Sequence, residues 1–248
     1  MDNRYTPFSS VFLILLTFLL CIPLERGHAQ MFSVADPDNQ RQRTTFSYTT
    51  LSAGWERADF VFTGPANTSG DRYGFTGDAL MLRFENPGID MYMGVAGKLT
   101  GMDDHSYLNI GANLFNDFVI TGTERFWLML PLQIRTSILR SQPSGAETRF
   151  QMSSFQGGAG LGVRAKLSDH INFSTQVIPS YGFSFSQGQF FGGRQFTLEG
   201  SVRLYIDNLI GERGLVFGYD YEKRSYDIDA DLYDYDFSSH SITLGITF

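Results

Sequence analysis

Few residues of this chain have the types and spacing that chemistry demands, and they fall into three groups. The first is Asp103-Asp104-His105, an acidic pair beside a histidine and the set nearest in composition to a catalytic cluster. The second is Ser239-His240-Ser241, where acyl hydrolysis would need a serine within hydrogen-bond reach of the imidazole that activates it. The third is the run Asp227, Asp229, Asp231, Asp234 and Asp236, with no basic residue between them. A hard cation takes several carboxylate oxygens, so this run invites comparison with a calcium loop.

Each group meets a plainer reading. Adjacent residues of a strand point to opposite faces, so His240 shares its face with Ile242 and not with either serine, which makes it a residue of a membrane interface. The glycine that gives a calcium loop its tight turn is missing from the aspartate run, which therefore reads as a solvated acidic loop. Divalent cations are the partners such a loop would take. Asp103 and Asp104 suit a turn. None of His105, His170 and His240 has a second histidine at metal-ligand spacing, and no nucleophile elbow, phosphate loop or zinc signature occurs. The expectation is a protein without cofactor that is not an enzyme.

The elements that would position these residues begin with an export leader. Arg4 supplies a positive start, Val11 to Leu24 an apolar stretch, and Gly27-His28-Ala29 the small residues of a cleavage site. That stretch falls short of the ~20 residues a membrane-spanning helix needs. Residues 1–29 therefore read as a signal peptide cleaved after Ala29, residues 30–44 as a periplasmic segment, and residues 45–248 as the folded domain. The single cysteine, Cys21, lies inside the leader and follows Leu19-Leu20, without the small residue of a lipoprotein site. The exported chain would carry no cysteine, hence no disulfide and no thiolate chemistry. Asp2, Glu25, Arg4 and Arg26 cancel, so it keeps the net charge of −7, which argues against nucleic acid as a partner.

From residue 45 onward apolar and polar residues alternate, with turn-forming residues every ten to twenty positions, the signature of an all-β chain. Ile171, Phe173, Val177, Tyr181, Phe183 and Phe185 fall on one face, and Asn172, Ser174, Gln176, Ser180 and Ser184 on the other. This pattern predicts ten strands, at 45–57, 77–86, 89–99, 106–115, 125–139, 153–167, 171–186, 194–206, 214–226 and 238–248, with eight and twelve as the neighbouring even counts. In the first, Phe46 and Tyr48 fall on one parity and Leu51, Ala53 and Trp55 on the other, which calls for a bulge or another register. Short turns are expected at Asn86-Pro87-Gly88, 116–124, Ser168-Asp169-His170 and 207–213. Longer outer loops are expected at 58–76, 100–105, 140–152, 187–193 and 227–237.

Alternation alone does not separate a membrane barrel from a soluble one. The polar face decides, because it is rich in small residues such as Gly158, Gly160, Gly162, Asn109, Gly111 and Asn113, which suit a crowded lumen and not a charged exterior. Its charges come in both signs. Arg83, Lys98, Arg135, Arg164, Lys166 and Arg203 stand on the parity that also carries Glu85, Glu199, Asp220 and Glu222, so they can pair across an interior.

At the end of the chain Ile242, Leu244, Ile246 and Phe248 alternate with Ser241, Thr243, Gly245 and Thr247. This resembles the C-terminal strand signal read by the barrel-assembly machinery of Gram-negative bacteria. With the leader and the Gly-rich run 157–164, the chain is similar to small OmpA-like outer-membrane β-barrels. The resemblance implies a closed antiparallel up-and-down transmembrane barrel of about ten strands in the outer membrane, in contact with lipid and lipopolysaccharide, with the last strand paired to the first. Ten-stranded proteases of the omptin type also place an acidic pair in a loop comparable to that of Asp103 and Asp104. They complete the site with an Asp and His pair across the barrel mouth, and the opposite loop here, 187–193, has neither.

The bore then sets the function classes. Eight strands are just filled by side chains and sixteen leave an aqueous channel, so ten lie near the closed end. The first expectation is a structural or surface-interaction barrel plugged by Arg135, Arg164, Lys166, Glu199, Arg203, Asp220 and Glu222; the second is a narrow, porin-like channel for small solutes.

Overall fold

A computed structural model describes residues 48–64, 74–97, 100–101, 105–143, 150–186, 189–211, 213–228 and 234–248. The expected leader, the segment 30–44, Phe46, Lys98, Asp103, Asp104, Asp229 and Asp231 lie outside the described residues.

Eleven strand segments follow one another: β1 (Thr50–Phe62), β2 (Phe75–Asn86), β3 (Ile89–Ala96), β4 (His105–Gly122), β5 (Phe126–Pro143), β6 (Phe150–Ala159), β7 (Leu161–Lys166), β8 (Ile171–Ser186), β9 (Gln189–Ile210), β10 (Arg213–Ile228) and β11 (Tyr235–Thr247). All pairings are antiparallel between neighbours, and β1 pairs with β11 over its whole length, from Thr50 opposite Thr247 to Phe62 opposite Tyr235. The sheet therefore closes on itself. A closed sheet leaves no unpaired edge, which hydrocarbon demands because it offers backbone groups no water.

The barrel has ten staves, because β6 and β7 are two parts of one. Both lie between β5 and β8, with Leu132 opposite Ala159 and Met129 opposite Gly162 on one side. That register puts Pro131 opposite Gly160, and Pro179 of β8 falls opposite Ala159. Proline has no amide hydrogen to give a ladder, so the two prolines interrupt pairing around Gly160, whose own N–H still donates to Pro131 O at 3.0 Å. At the tight turn Asn86-Pro87-Gly88-Ile89, Gly88 adopts φ +89°, the left-handed position after a proline where glycine costs least.

The outward parity is apolar over the middle of the barrel. Trp55 is 43% exposed, Ile134 51%, Tyr181 56% and Ile242 69%, values that only a lipid solvent makes reasonable for so many large apolar groups. Polar residues such as Ser52, Gln133, Ser180 and Thr243 are buried on the inward parity.

At the end away from the termini this arrangement inverts. On β1 the outward series Leu51, Ala53, Trp55 passes into Arg57 and Asp59, while the inward series passes from Ser52 and Glu56 into Ala58 and Phe60. Outside, Arg57 pairs with Asp78 at 3.1 Å and Thr76 donates to Asp59 at 2.7 Å. Inside, Phe60, Phe75, Tyr107, Leu139, Met152, Tyr226, Tyr235 and Phe237 form the apolar core. These stretches carry charge outward because they stand in water beyond the hydrocarbon, and their inner face packs as a soluble barrel would.

Several boundaries differ from those expected, and the inversion explains the ones on β1 and β2. Residues 58–62 and 75–76, expected in a loop, continue β1 and β2; β4 runs on through the expected turn 116–124 to Gly122, with a bulge near Ile120; and β9 starts at Gln189, inside the expected loop 187–193. The first strand begins at Thr50 and needs no bulge: Leu51, Ala53 and Trp55 share one parity, and Tyr48 precedes the strand.

Candidate functional site

The chemistry-bearing side chains converge in the lumen, in tiers along the barrel axis. The tier nearest the termini is a mouth built on Tyr48. Its ring stacks on Tyr205 with centroids 4.1 Å apart and planes 10° from parallel, and its hydroxyl donates to Asp207 Oδ2 at 2.9 Å. Asn172 Nδ2 donates to both the Tyr48 hydroxyl, at 2.6 Å, and Asp207 Oδ2, at 2.7 Å. Burial first, then the Asp207 carboxylate, hold the Tyr48 hydroxyl well above its ordinary pKa, so it stays protonated and donates.

Above the mouth stand two arginines. Arg83 grips Asp90 in a fork, Nε to Oδ1 at 2.8 Å and Nη2 to Oδ2 at 2.6 Å, and its Nη1 reaches Asp220 at 2.7 Å. Arg203 binds Glu85 at 2.8 Å and Asp220 at 2.8 Å, so Asp220 bridges the pair. Planar guanidinium forks matched to carboxylates are the geometry in which buried charges tolerate loss of water.

A third tier is drier. Arg135 and Arg224 are both fully buried. Arg135 pairs with Glu199 at 2.7 Å and with Glu222, and donates to the Tyr92 hydroxyl. Arg224 meets Glu222 at 2.5 and 2.9 Å, the Tyr92 hydroxyl at 2.8 Å and Asn109 Oδ1 at 2.8 Å. Glu56, also fully buried, accepts from Tyr107 and Asn109, each at 3.2 Å. The Arg224 guanidinium lies 4.9 Å from the Phe237 ring centroid, which joins this tier to the aromatic core above. There Phe60 stacks on Tyr235 at 4.8 Å, with Phe150 packed against both.

Of the charges expected in the lumen, the fold brings together Arg135, Glu199, Arg203, Asp220 and Glu222. Arg164 and Lys166 stand apart from that group, with partners of their own. Arg164 pairs with Asp117 at 2.6 Å, and Lys166 reaches Asp169 of the following turn at 3.2 Å, holding that exposed carboxyl below its ordinary pKa. Both belong to the end of β7, and parity tells which way a side chain faces, not how far along the axis it sits. Sequence reasoning missed Glu56, Asp90, Tyr92 and Arg224 as members of the network. Arg224 shares parity with Asp220 and Glu222, which was signal enough; Glu56 lay in the strand of ambiguous parity.

The C-terminal residues occupy the sealing stave. Ile242, Leu244 and Phe248 are exposed on the outer face and Ile246 is half-buried there; the Phe248 N–H donates to Thr49 O at 2.9 Å, and the Arg213 guanidinium lies 5.4 Å from the Phe248 ring centroid. His240 faces outward at the upper limit of the apolar band, its Nδ1 2.8 Å from the Tyr219 hydroxyl. His105, at the start of β4, lies against Phe75 with ring centroids 5.5 Å apart.

No protein-family model and no curated protein matches the sequence. Solved structures do. The outer-membrane protease OmpT of Escherichia coli matches at 10% identity over 83% of this chain and 99% of its own, with a TM-score of 0.42. The attachment invasion locus protein Ail of Yersinia pestis, in complex with a heparin analogue, matches at 10% identity over 82% and 99%, with a TM-score of 0.27. The transport unit of the autotransporter AIDA-I of Escherichia coli matches at 9% identity over 99% of both chains, with a TM-score of 0.35. These neighbours are Gram-negative outer-membrane β-barrels of diverse roles, and this chain, by its own closure and its apolar exterior, is a ten-stave antiparallel barrel of that architecture.

Proposed function

We propose that the protein is a plugged outer-membrane barrel with a structural or surface-interaction role, exerted from its ends and not through its bore. The observation that carries this reading is the drying of the lumen at mid-height. Arg135 and Arg224 are fully buried there, tied to each other through Glu222 and Tyr92, under a cap in which Phe60 and Phe237 are equally inaccessible. Small-bore barrels filled in this way exclude bulk water, and cross-linked charged side chains leave no continuous water path for ions. In this reading the leader is removed after Ala29, the barrel-assembly machinery recognises the stave ending in Phe248, and lipid and lipopolysaccharide surround the apolar band.

The test is conductance of the purified protein in a planar bilayer. The unmodified barrel shows little steady current, and Arg135→Ser with Arg224→Ser opens it, because both the volume and the cross-links of the middle tier are lost. Steady conductance of the unmodified protein would refute the plug and support a narrow channel for small solutes. A closed state unchanged by the substitutions would show that the aromatic cap alone seals the bore.

A further inference from the structure

The lumen network is not electrically balanced. Among the described residues its two middle tiers hold six carboxylates, Glu56, Glu85, Asp90, Glu199, Asp220 and Glu222, against four guanidiniums, Arg83, Arg135, Arg203 and Arg224. The excess is two negative charges. None of these side chains is more than 18% exposed. Uncompensated charge costs most where water is scarce, so such an excess calls for a counter-charge inside the barrel.

The space for one is present, and it lies on the negative side of the network. A cavity of about 60 Å³ is walled by Glu85, Asp90, Glu199, Asp220 and Glu222, and of the four network arginines only Arg83 lines it. Asn113 lines it too. Its Nδ2 donates to Asp90 Oδ2 at 3.1 Å, while its Oδ1, in a residue only 3% exposed, receives no hydrogen bond. An amide oxygen buried without a donor beside carboxylates can serve as one ligand of a cation. Anions are excluded by sign and larger solutes by volume.

We infer that this cavity binds one small cation, a metal ion such as sodium, potassium or calcium, or ammonium, as the counter-charge of the plug. No three acidic or histidine side chains among the described residues are gathered closely enough to cage a bare metal ion. The ion therefore keeps part of its water, for which the cavity has room, and charge and size set its selectivity more than ligand geometry does. This inference concerns what the lumen holds; it rests on the plugged reading only in that a dry interior makes the imbalance costly.

The test uses the full exported chain in detergent micelles at pH 8 and constant ionic strength. Thermal unfolding is followed while N-methyl-D-glucamine chloride, whose cation is too large for the cavity, is replaced by sodium, potassium, ammonium or calcium chloride. Small cations raise the midpoint saturably, and equilibrium dialysis with radioactive calcium or sodium gives one ion per chain. Glu199→Gln, which removes one wall charge, weakens retention about tenfold or more, the effect of a unit charge nearby in a poorly hydrated interior. Glu56→Gln, outside the cavity wall, does the same less strongly and serves if the first variant fails to fold. A midpoint indifferent to the identity of the cation, with no ion retained on dialysis, would overturn the inference and leave protons as the counter-charge. Cation dependence that survives both substitutions would overturn it too, by placing the ion on the outer loops. Neither result touches the conductance measurement, so the plug stands or falls separately.

Discussion

Replacing Arg135 by Met tests how dry the middle of the barrel is. The substitution keeps much of the aliphatic volume and deletes a fully buried cation that pairs with Glu199 and Glu222 and donates to the Tyr92 hydroxyl. Afterwards Glu222 retains Arg224, but Glu199 keeps only the Gln133 amide, 2.9 Å away. Breaking a buried pair by removing one partner costs about 3–5 kcal/mol, because the remaining charge is left in a medium that does not solvate it. At about 1.4 kcal/mol per tenfold, the unfolding constant rises on the order of a hundred- to several-thousandfold. Urea unfolding of the barrel in detergent or liposomes, read by gel mobility with and without boiling, measures this. The double variant Arg135→Met with Glu199→Gln removes the stranded charge and recovers part of the loss, so its cost is smaller than that of Arg135→Met alone. A single-variant cost under about 1 kcal/mol would refute the reasoning, since it would mean that water reaches Glu199 and that the tier is a wet surface.

Trp55 faces outward at 43% exposure and Trp127 inward at 6%, so brominated lipid quenches the fluorescence of a Trp127→Phe variant strongly and that of Trp55→Phe weakly; equal quenching would contradict the assignment of faces. Deleting Phe248, or replacing Leu244 by Asp, prevents assembly in cells, the aspartate adding roughly 2 kcal/mol near the bilayer midplane; normal surface levels of either would refute the role of the last stave. Phe237→Ala removes a fully buried ring between Arg224 and the aromatic cap and destabilises the folded barrel by about 3–5 kcal/mol in the same urea assay; a loss below about 1 kcal/mol would mean that the cap is loosely packed.

The parts of this fold that sequence could reveal are those governed by one period and one solvent. Between residues 126 and 134 the outward residues are apolar throughout, and between 171 and 185 all but Thr175 are, because those stretches cross hydrocarbon, and the expected staves match the observed ones closely. Where the staves rise into water the same parity carries opposite chemistry. Asp59 then looks like a loop residue and Phe60, Phe62 and Phe75 look like strays, although all four lie in strands and the three rings belong to the aromatic core or pack against it. A reader who expects one apolar face ends the strand at the point where the solvent changes. Arg164 and Lys166 stand apart from the central network for a related reason. Their facing was legible, but their height along the axis depends on where β7 ends and on stagger between staves, which no local pattern encodes.

The small residues of the lumen show what a strand pattern can and cannot transmit. Gly111 and Gly94 sit on inward faces where a side chain would be expected to help fill the bore. A Cβ on Gly111 would overlap the Tyr92 ring of the neighbouring stave, and a Cβ on Gly94 would overlap the Glu56 carboxylate. Tyr92 cannot yield, because its hydroxyl receives hydrogen bonds from both Arg135 and Arg224. Glu56 is fixed in turn by Tyr107 and Asn109, and Asn109 accepts from Arg224. These two glycines are therefore the negative image of the charge network: each marks a place where a large polar side chain from another stave crosses the bore. Glycine on the polar parity announced a crowded interior before any coordinates, since an open channel has no need to remove side chains from its wall. Which residue does the crowding is a property of two staves at once, and it became legible only when closure set those staves side by side.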